Sequence, residues 1–241
     1  MPHAPFSSAR RISPIMPTIK AILFDLDGTL TDSALDLSIS VNHMLRTLGM
    51  PEQPVETIYG YIGRGVANML KSALGEEHKE KAEEALRVFR DHYWEHCLDS
   101  TRLYPGAMET IEALKNYKLA VVTNKTRRFA DKILNGLGVL SKFDLLLGGD
   151  DYTALKPDPA PVLQACQMLG VRPAQALMVG DSTPDIRSAV DAGAHACGVT
   201  YGLGKREELV RCGAKWLLDS MALLPDLVYK ITNEAQGDGK S

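Results

Sequence analysis

Asp25 and Asp27 stand two residues apart in Phe24-Asp25-Leu26-Asp27-Gly28-Thr29-Leu30, directly after the apolar run Ala21-Ile22-Leu23. In a strand, residues i and i+2 point the same way. Both carboxylates then face one small volume, where the strand gives way to a Gly-Thr turn. The C-terminal ends of strands are where open α/β folds bind their ligands. Two like charges that close require a cation or a shared proton. The competing reading is a strand followed by an ordinary Asp-Gly turn whose acids are solvated.

Three further blocks bear on that choice. Val121-Val122-Thr123-Asn124 ends a second apolar run, and Lys156-Pro157-Asp158-Pro159 precedes a helix-like segment. Leu177-Met178-Val179-Gly180-Asp181 ends another apolar run, and Asp185 follows four residues later. Taken singly, Thr123 reads as a β-branched strand residue, Lys156 as a solvated loop lysine, and Asp181 and Asp185 as a turn residue and a helix N-terminal acid. Taken together, the order acid pair, hydroxyl, lysine, acid pair resembles the haloacid dehalogenase (HAD) superfamily, over nearly the whole chain from Lys20 to about Val228. Thr123-Asn124-Lys125, Gly148-Gly149-Asp150-Asp151 and Val199-Thr200-Tyr201-Gly202 resemble one branch of it, the phosphoglycolate phosphatases.

The resemblance implies a reaction and a cast of residues. Asp25 is the expected nucleophile and a Mg2+ ligand. The expected role of Asp27 is general acid and then base, with its backbone carbonyl on the metal. Asp181 completes the ligand set, and Asp185 lies in or just outside it. Thr123 and Asn124 bind the phosphate, and Lys156 supplies positive charge to the transferring group and to Asp25. A carboxylate nucleophile splits phosphate-ester hydrolysis into two easier steps, and a hard cation offsets the repulsion between two anions. The dehalogenase branch lacks an acid at the position of Asp27, so its presence points to phosphoryl transfer. Lys125 and Arg127 are read as rim residues. The expected substrate is a small phosphorylated metabolite, 2-phosphoglycolate first. Sugar-phosphate or nucleotide phosphatases, a phosphomutase, and a non-enzymatic fold relative are the alternatives. The last would be expected to lack an acid or the lysine, and none is missing.

Composition narrows the class. A chain of 241 residues with 45% hydrophobic content can bury a sizeable core. A net charge of -3 without a basic stripe argues against nucleic-acid binding. Cys97, Cys166, Cys197 and Cys212 lack metal-ligand or CxxC spacing, so reduced thiols of a cytoplasmic protein are expected. The His residues show no paired ligand spacing, and no apolar run reaches membrane-span length. A monomer or homodimer is expected.

These residues need elements to hold them. Short, almost wholly apolar runs at Ala21–Phe24, Leu119–Thr123, Phe143–Leu147, Leu177–Val179 and Ala196–Val199 read as strands covered on both faces. Helix-like segments separate them: Ala107–Lys115, Thr126–Leu137, Pro159–Leu169 with Asp158 as N-cap, and Pro184–Ala192. The alternation predicts an α/β fold with a doubly wound, Rossmann-like parallel sheet. Residues 33–100 break the rhythm with helical spacing alone (Leu37 to Leu48, Ile58 to Leu70, Ala82 to Trp94), as an inserted all-α helical bundle would. By resemblance this is a cap, with hinges near Asp32-Ser33 and Thr101–Pro105. The core is then 17–32 and 101–230. In the cap, Arg64 sits in Tyr61-Ile62-Gly63-Arg64-Gly65 and is a candidate to bind a substrate carboxylate. Thr183-Pro184 departs from the usual pattern between the last two acids without altering either. Residues 1–16 are acid-poor and Arg-containing, as transit peptides are. Pro2, Pro5 and Pro14 spoil an amphipathic helix, so a disordered extension is expected, with Met16 as an alternative start. A disordered tail is expected over 231–241.

Overall fold

The structure, a computed structural model, describes residues 18–237, with side chains to residue 233. The expected extension at 1–16 lies outside the described residues. The chain opens with β1 (Ala21–Phe24) and the short β2 (Thr31–Asp32). Four helices follow: α1 (Ala34–Thr47), α2 (Val55–Tyr59), α3 (Val66–Leu74) and α4 (Ala82–His96). After β3 (Arg102–Leu103) come α5 (Ala107–Ala113), β4 (Lys118–Val122), α6 (Arg127–Gly136) and β5 (Leu145–Leu147). Then strands and helices alternate as α7 (Ala160–Leu169), β6 (Ala176–Gly180), α8 (Thr183–Asp191), β7 (His195–Val199), α9 (Arg206–Arg211), β8 (Trp216–Leu218) and α10 (Leu224–Gly237).

Six strands form one parallel sheet in the order β5-β4-β1-β6-β7-β8. The chain builds outward from β1 to β4 and β5 on one side, then crosses to β6, β7 and β8 on the other. That reversal puts the topological switch point at β1, with β4 and β6 as its neighbours. Register aligns Phe24 with Val121 and with Val179, so the next residues on all three strands emerge at one edge. Alternate side chains feed two cores. Ile22, Phe24, Val121 and Val179 pack under Ile111, Leu134 and Val228, while Leu23, Val122 and Met178 pack under Val162, Ile186 and Leu209. Nearly every strand residue is therefore apolar, each large one contributing roughly 1.5–3 kcal/mol on burial.

The inserted helices have a core of their own, including Val41, Leu45, Leu70, Phe89 and Tyr93, and Phe129 and Ile133 of α6 reach into it. Both connections to this bundle run through the antiparallel pair β2–β3, Thr31 opposite Leu103 and Asp32 opposite Arg102. The buried Asp36 carboxylate locks them: it accepts from the Ser100 and Thr101 N–H groups and from the Thr101 hydroxyl at 2.7–3.0 Å. Four donor contacts satisfy this buried carboxyl group at the base of the cap.

Several elements differ from the sequence reading. The run Ile58 to Leu70 is two helices, because Gly63 and Gly65 take positive φ values between them. β8 and α9 were not anticipated; their runs are short and only half-buried, so the apolar pattern is faint. The tail expected from 231 is helical to Gly237, because Ile231, 1% exposed, still belongs to the core. Expected β5 is shorter by two residues: Phe143 and Asp144 link a 3-10 turn at Leu140–Lys142 to the strand. Cys97, Cys166, Cys197 and Cys212 are free thiols. Among the described residues no helix is long and apolar enough to cross a membrane.

The cap carries a stack of imidazoles. His43 lies 4.0 Å from His92, and His92 lies 4.3 Å from His96, ring centre to ring centre. Burial first, then His43 and His96, push the His92 pKa down to about 4. The unfolded chain takes up that proton near pH 6.5, the folded chain only near 4. His92 thus favours folding in full above pH 6.5, and that contribution is lost as pH falls toward 4. The melting temperature is expected to fall between pH 6.5 and 4.5 more steeply for the wild type than for His92→Gln. Parallel melting curves across that range contradict this.

Candidate active site

The edge where β1, β4 and β6 end collects the chemistry. Asp25 follows β1, Thr123 follows β4 and Asp181 follows β6, and all three are buried. Asp185 lies in the first turn of α8, where Ser182 donates to its Oδ2 from both N–H (3.0 Å) and hydroxyl (2.6 Å). Pro184 sits in that same first turn, where its missing N–H costs nothing, so the Thr183-Pro184 departure leaves both acids in place. Asp25, Asp181 and Asp185 offer carboxylate oxygens all within 4.8 Å of one another.

Lys156 is the cation within this cluster. Its Nζ donates to Asp25 Oδ1 at 2.9 Å, to Asp185 Oδ1 at 2.6 Å and to the Val122 carbonyl at 2.6 Å. All three ammonium donors are used. Burial works against its charge, but Asp185 and Asp25 outweigh that and raise its pKa. The acids remain in excess. Burial, then repulsion from Asp185, raises the pKa of Asp25 despite Lys156. Asp181 is raised as well, by burial and by Asp185 and Asp25, against the Leu203 N–H (2.8 Å) and Thr29 hydroxyl (3.2 Å) that donate to it. Three buried carboxylates against one ammonium leave a deficit of positive charge, and the donors are hard oxygens. The residues fit a small hard dication such as Mg2+.

Gly28 is what lets the Asp181 carboxylate stand beside the loop after β1. Its φ is +86°, and a Cβ there would overlap the carboxylate. Asp27, one residue earlier, is held by the Ser33 hydroxyl (2.6 Å) and by both-oxygen contact with Lys125 Nζ (2.8 and 2.9 Å). Lys125 is therefore no rim residue: its side chain turns inward, 7% exposed, and pairs with Asp27. The Thr123 hydroxyl accepts from the Lys125 N–H at 3.2 Å, while Tyr152 donates to the Thr123 carbonyl.

Asn124 stands differently from the expected phosphate contact. Its amide is spent on the Lys156 backbone, donating to the carbonyl (2.9 Å) and accepting from the N–H (2.9 Å), and it also donates to the Gly63 carbonyl of the cap (3.1 Å). It fixes Lys156 and touches the cap. Arg64 is exposed; it lines a cleft with Asp27 and Asp181, next to the pocket that opens on Asp25. That pocket, about 50 Å³, lies between the acids and the cap, bounded by Asp25, Asp27, Thr123, Lys125 and apolar cap residues. Arg127, Asp150 and Asp151 bind one another at the foot of α6 and do not reach the acids. Thr29, Ser33 and Lys125 were missed by sequence reasoning. Only Lys125 left a trace there, as the lysine two residues past the strand-end threonine.

A doubly wound sheet with its switch point at a buried acid cluster, closed by a helical insertion after the first strand, defines a hydrolase class. The family model for haloacid dehalogenase-like hydrolases matches residues 22–199, and the chain belongs to that family; it is an enzyme. The phosphoglycolate phosphatase of Nitrosospira multiformis is 37% identical over 225 residues, covering 90% of this chain and 96% of the relative. That of Aquifex aeolicus is 41% identical over 189 residues, covering 78% and 87%. A crystal structure described as a predicted phosphoglycolate phosphatase from Haemophilus somnus shares 34% identity at a TM-score of 0.82, covering 88% of this chain and 99% of that one. A hydrolase from Pseudomonas syringae shares 28% at 0.74, covering 86% and 97%.

Proposed function

We propose that the protein is a phosphoric monoester hydrolase that uses Mg2+ and an aspartyl-phosphate at Asp25, with 2-phosphoglycolate as its preferred substrate. The observation that carries this is Asp25 itself. It is a buried carboxylate ion-paired to Lys156, clustered with Asp181 and Asp185, and open to a pocket shared with Thr123 and Asp27. Relatives named phosphoglycolate phosphatase support the choice of substrate, and so does the small volume of the pocket.

Asp25, Asp181 and Asp185 would hold the cation together with the Asp27 carbonyl, and the cation when bound offsets the charge of the phosphoryl group. The chain's own groups do the rest. The free carboxylate oxygen of Asp25 attacks phosphorus, and the bond to the ester oxygen breaks. Asp27 protonates that oxygen, so glycolate leaves through a neutral hydroxyl group, its carboxylate unchanged. Asp27, now a carboxylate, takes a proton from water as the water attacks the phosphorus of the aspartyl-phosphate. Inorganic phosphate departs and Asp25 is restored. Thr123 donates its hydroxyl proton to a non-bridging oxygen, and Lys156 faces the growing charge.

Phosphate release from a panel of phosphorylated metabolites tests the reading, with Mg2+ and with chelator. The expected kcat/KM is highest for 2-phosphoglycolate, well above every sugar phosphate and nucleotide, and chelation removes it. A sugar-phosphate optimum, interconversion of glucose phosphates or full activity in chelator contradicts it.

A further inference from the structure

The pocket contains one buried cation that the steps above leave without a task. Lys125 Nζ gives two donors to the two Asp27 oxygens, and an ammonium has three. The same Nζ lies over the Tyr93 ring, 4.8 Å from its centre. Tyr93 comes from α4 of the cap and is 1% exposed; its hydroxyl has the Lys125 ammonium beside it, without regular hydrogen-bond geometry, and no acceptor for its own proton among the described residues. A buried hydroxyl without a partner costs about 1–3 kcal/mol, a cost a bound ligand group removes. Around this pair the wall is apolar: Leu37, Ile62, Val66, Met69 and Phe129. An ammonium held by a single carboxylate, beside a hydroxyl whose proton has no acceptor, suits a compact anion on such a wall and gives nothing to an alkyl group.

We propose that Lys125, assisted by the Tyr93 hydroxyl, recognises an anionic group carried one carbon from the ester oxygen, and so selects phosphorylated small acids. The inference rests on the proposed function, in which Asp27 protonates that ester oxygen. Proton transfer brings the oxygen to about 2.6–3.2 Å from the Asp27 carboxylate, and Lys125 Nζ is 2.8 Å from the same carboxylate. A carboxylate joined to the ester oxygen through a single carbon is therefore within ion-pair reach of Nζ. A neutral amide in the same place can accept a hydrogen bond but loses the charge assistance that a carboxylate gains from the ammonium. Arg64 lines the neighbouring cleft with Asp27 and Asp181 and not this pocket. Lys125 is then a specificity residue that also holds Asp27.

The test compares 2-phosphoglycolate with its neutral isostere, phosphoglycolamide, in the full-length enzyme. Charge-assisted hydrogen bonds are worth about 1.5–3 kcal/mol, so the wild type is expected to favour the acid by about 10- to 100-fold in kcat/KM. Lys125→Gln is expected to lower both rates, through Asp27, and to collapse the acid-to-amide ratio toward one. A ratio that survives while both rates fall overturns the inference, since Lys125 would then serve Asp27 alone. Tyr93→Phe keeps the ring and its packing, and decides the matter even if Lys125→Gln does not fold. A several-fold drop in the ratio supports the inference, and an unchanged ratio overturns it. An active wild type with no acid preference overturns the inference and spares the phosphatase reading. A wild type inactive on both esters sinks the two together.

Discussion

Asp25→Asn is expected to lower kcat/KM on the order of 10⁴-fold or more, as loss of a covalent nucleophile does elsewhere. An amide oxygen cannot attack phosphorus at a useful rate, and no other carboxylate faces the pocket from the same place. Asp27 is tied to Ser33 and Lys125, and Asp185 to Ser182 and Lys156. The same change is expected to preserve the fold. Asp25 is buried with its pKa raised, so its charge opposes folding at neutral pH: a raised carboxylate pKa means stability is lost as pH rises through it. Removing that charge takes one of three clustered anions away, while Lys156 keeps Asp185 and the Val122 carbonyl. In chelator at pH 7 the variant is expected to melt at or above the wild-type temperature. Activity and melting measured on one preparation check both halves. An inactive variant that also melts far lower would make Asp25 a structural residue first.

Lys156→Met is expected to do the opposite to stability while also abolishing activity. The ammonium is the shared partner of Asp25 and Asp185, and its side chain is 1% exposed. Without it, three buried carboxylates face each other with no counter-charge from the protein. Breaking a buried ion pair from one side costs about 3–5 kcal/mol. The double variant Lys156→Met with Asp185→Asn is expected to recover part of that stability and none of the activity, since one repelling charge is gone but the cation is not restored. Chemical denaturation of the wild type, the single and the double variant measures this. A Lys156→Met protein as stable as wild type would contradict the charge balance described for the site.

How much of this was legible before any coordinates differs by element. β1, β4, β6 and β7 were readable because strands covered on both faces are apolar at nearly every position, as Ala21–Phe24 and Ala176–Gly180 are. Placing Asp25, Thr123 and Asp181 just beyond such runs put them at one edge of a parallel sheet, and there they stand together. Lys156 needs more than local pattern, since a loop lysine before a proline says nothing about an acid 131 residues away. Only the order of the four blocks singled it out. Lys125 and Asn124 show where such reading ends. Both lie in the same loop, yet one side chain turns to Asp27 and the other to Lys156 and Gly63, and those directions are set by contacts remote in sequence. Arg64 was drawn toward the substrate by its glycine neighbours, and it stands between α2 and α3, where it lines a cleft with Asp27 and Asp181. The helical tail was hidden because its polar end is carried by packing at Val228 and Ile231, which periodicity alone did not single out.

The most direct test of the central claim is a single turnover of an aryl phosphate, whose leaving group departs without a proton from Asp27, with the Asp27→Asn variant, quenched in acid and followed by peptide mass spectrometry. With breakdown slowed by loss of the Asp27 carboxylate, the account predicts one phosphoryl group on the peptide that contains Asp25, and none there when Asp25 is also changed to Asn. Phosphate released within that turnover with no phosphoryl adduct, or an adduct on a different residue, would contradict it.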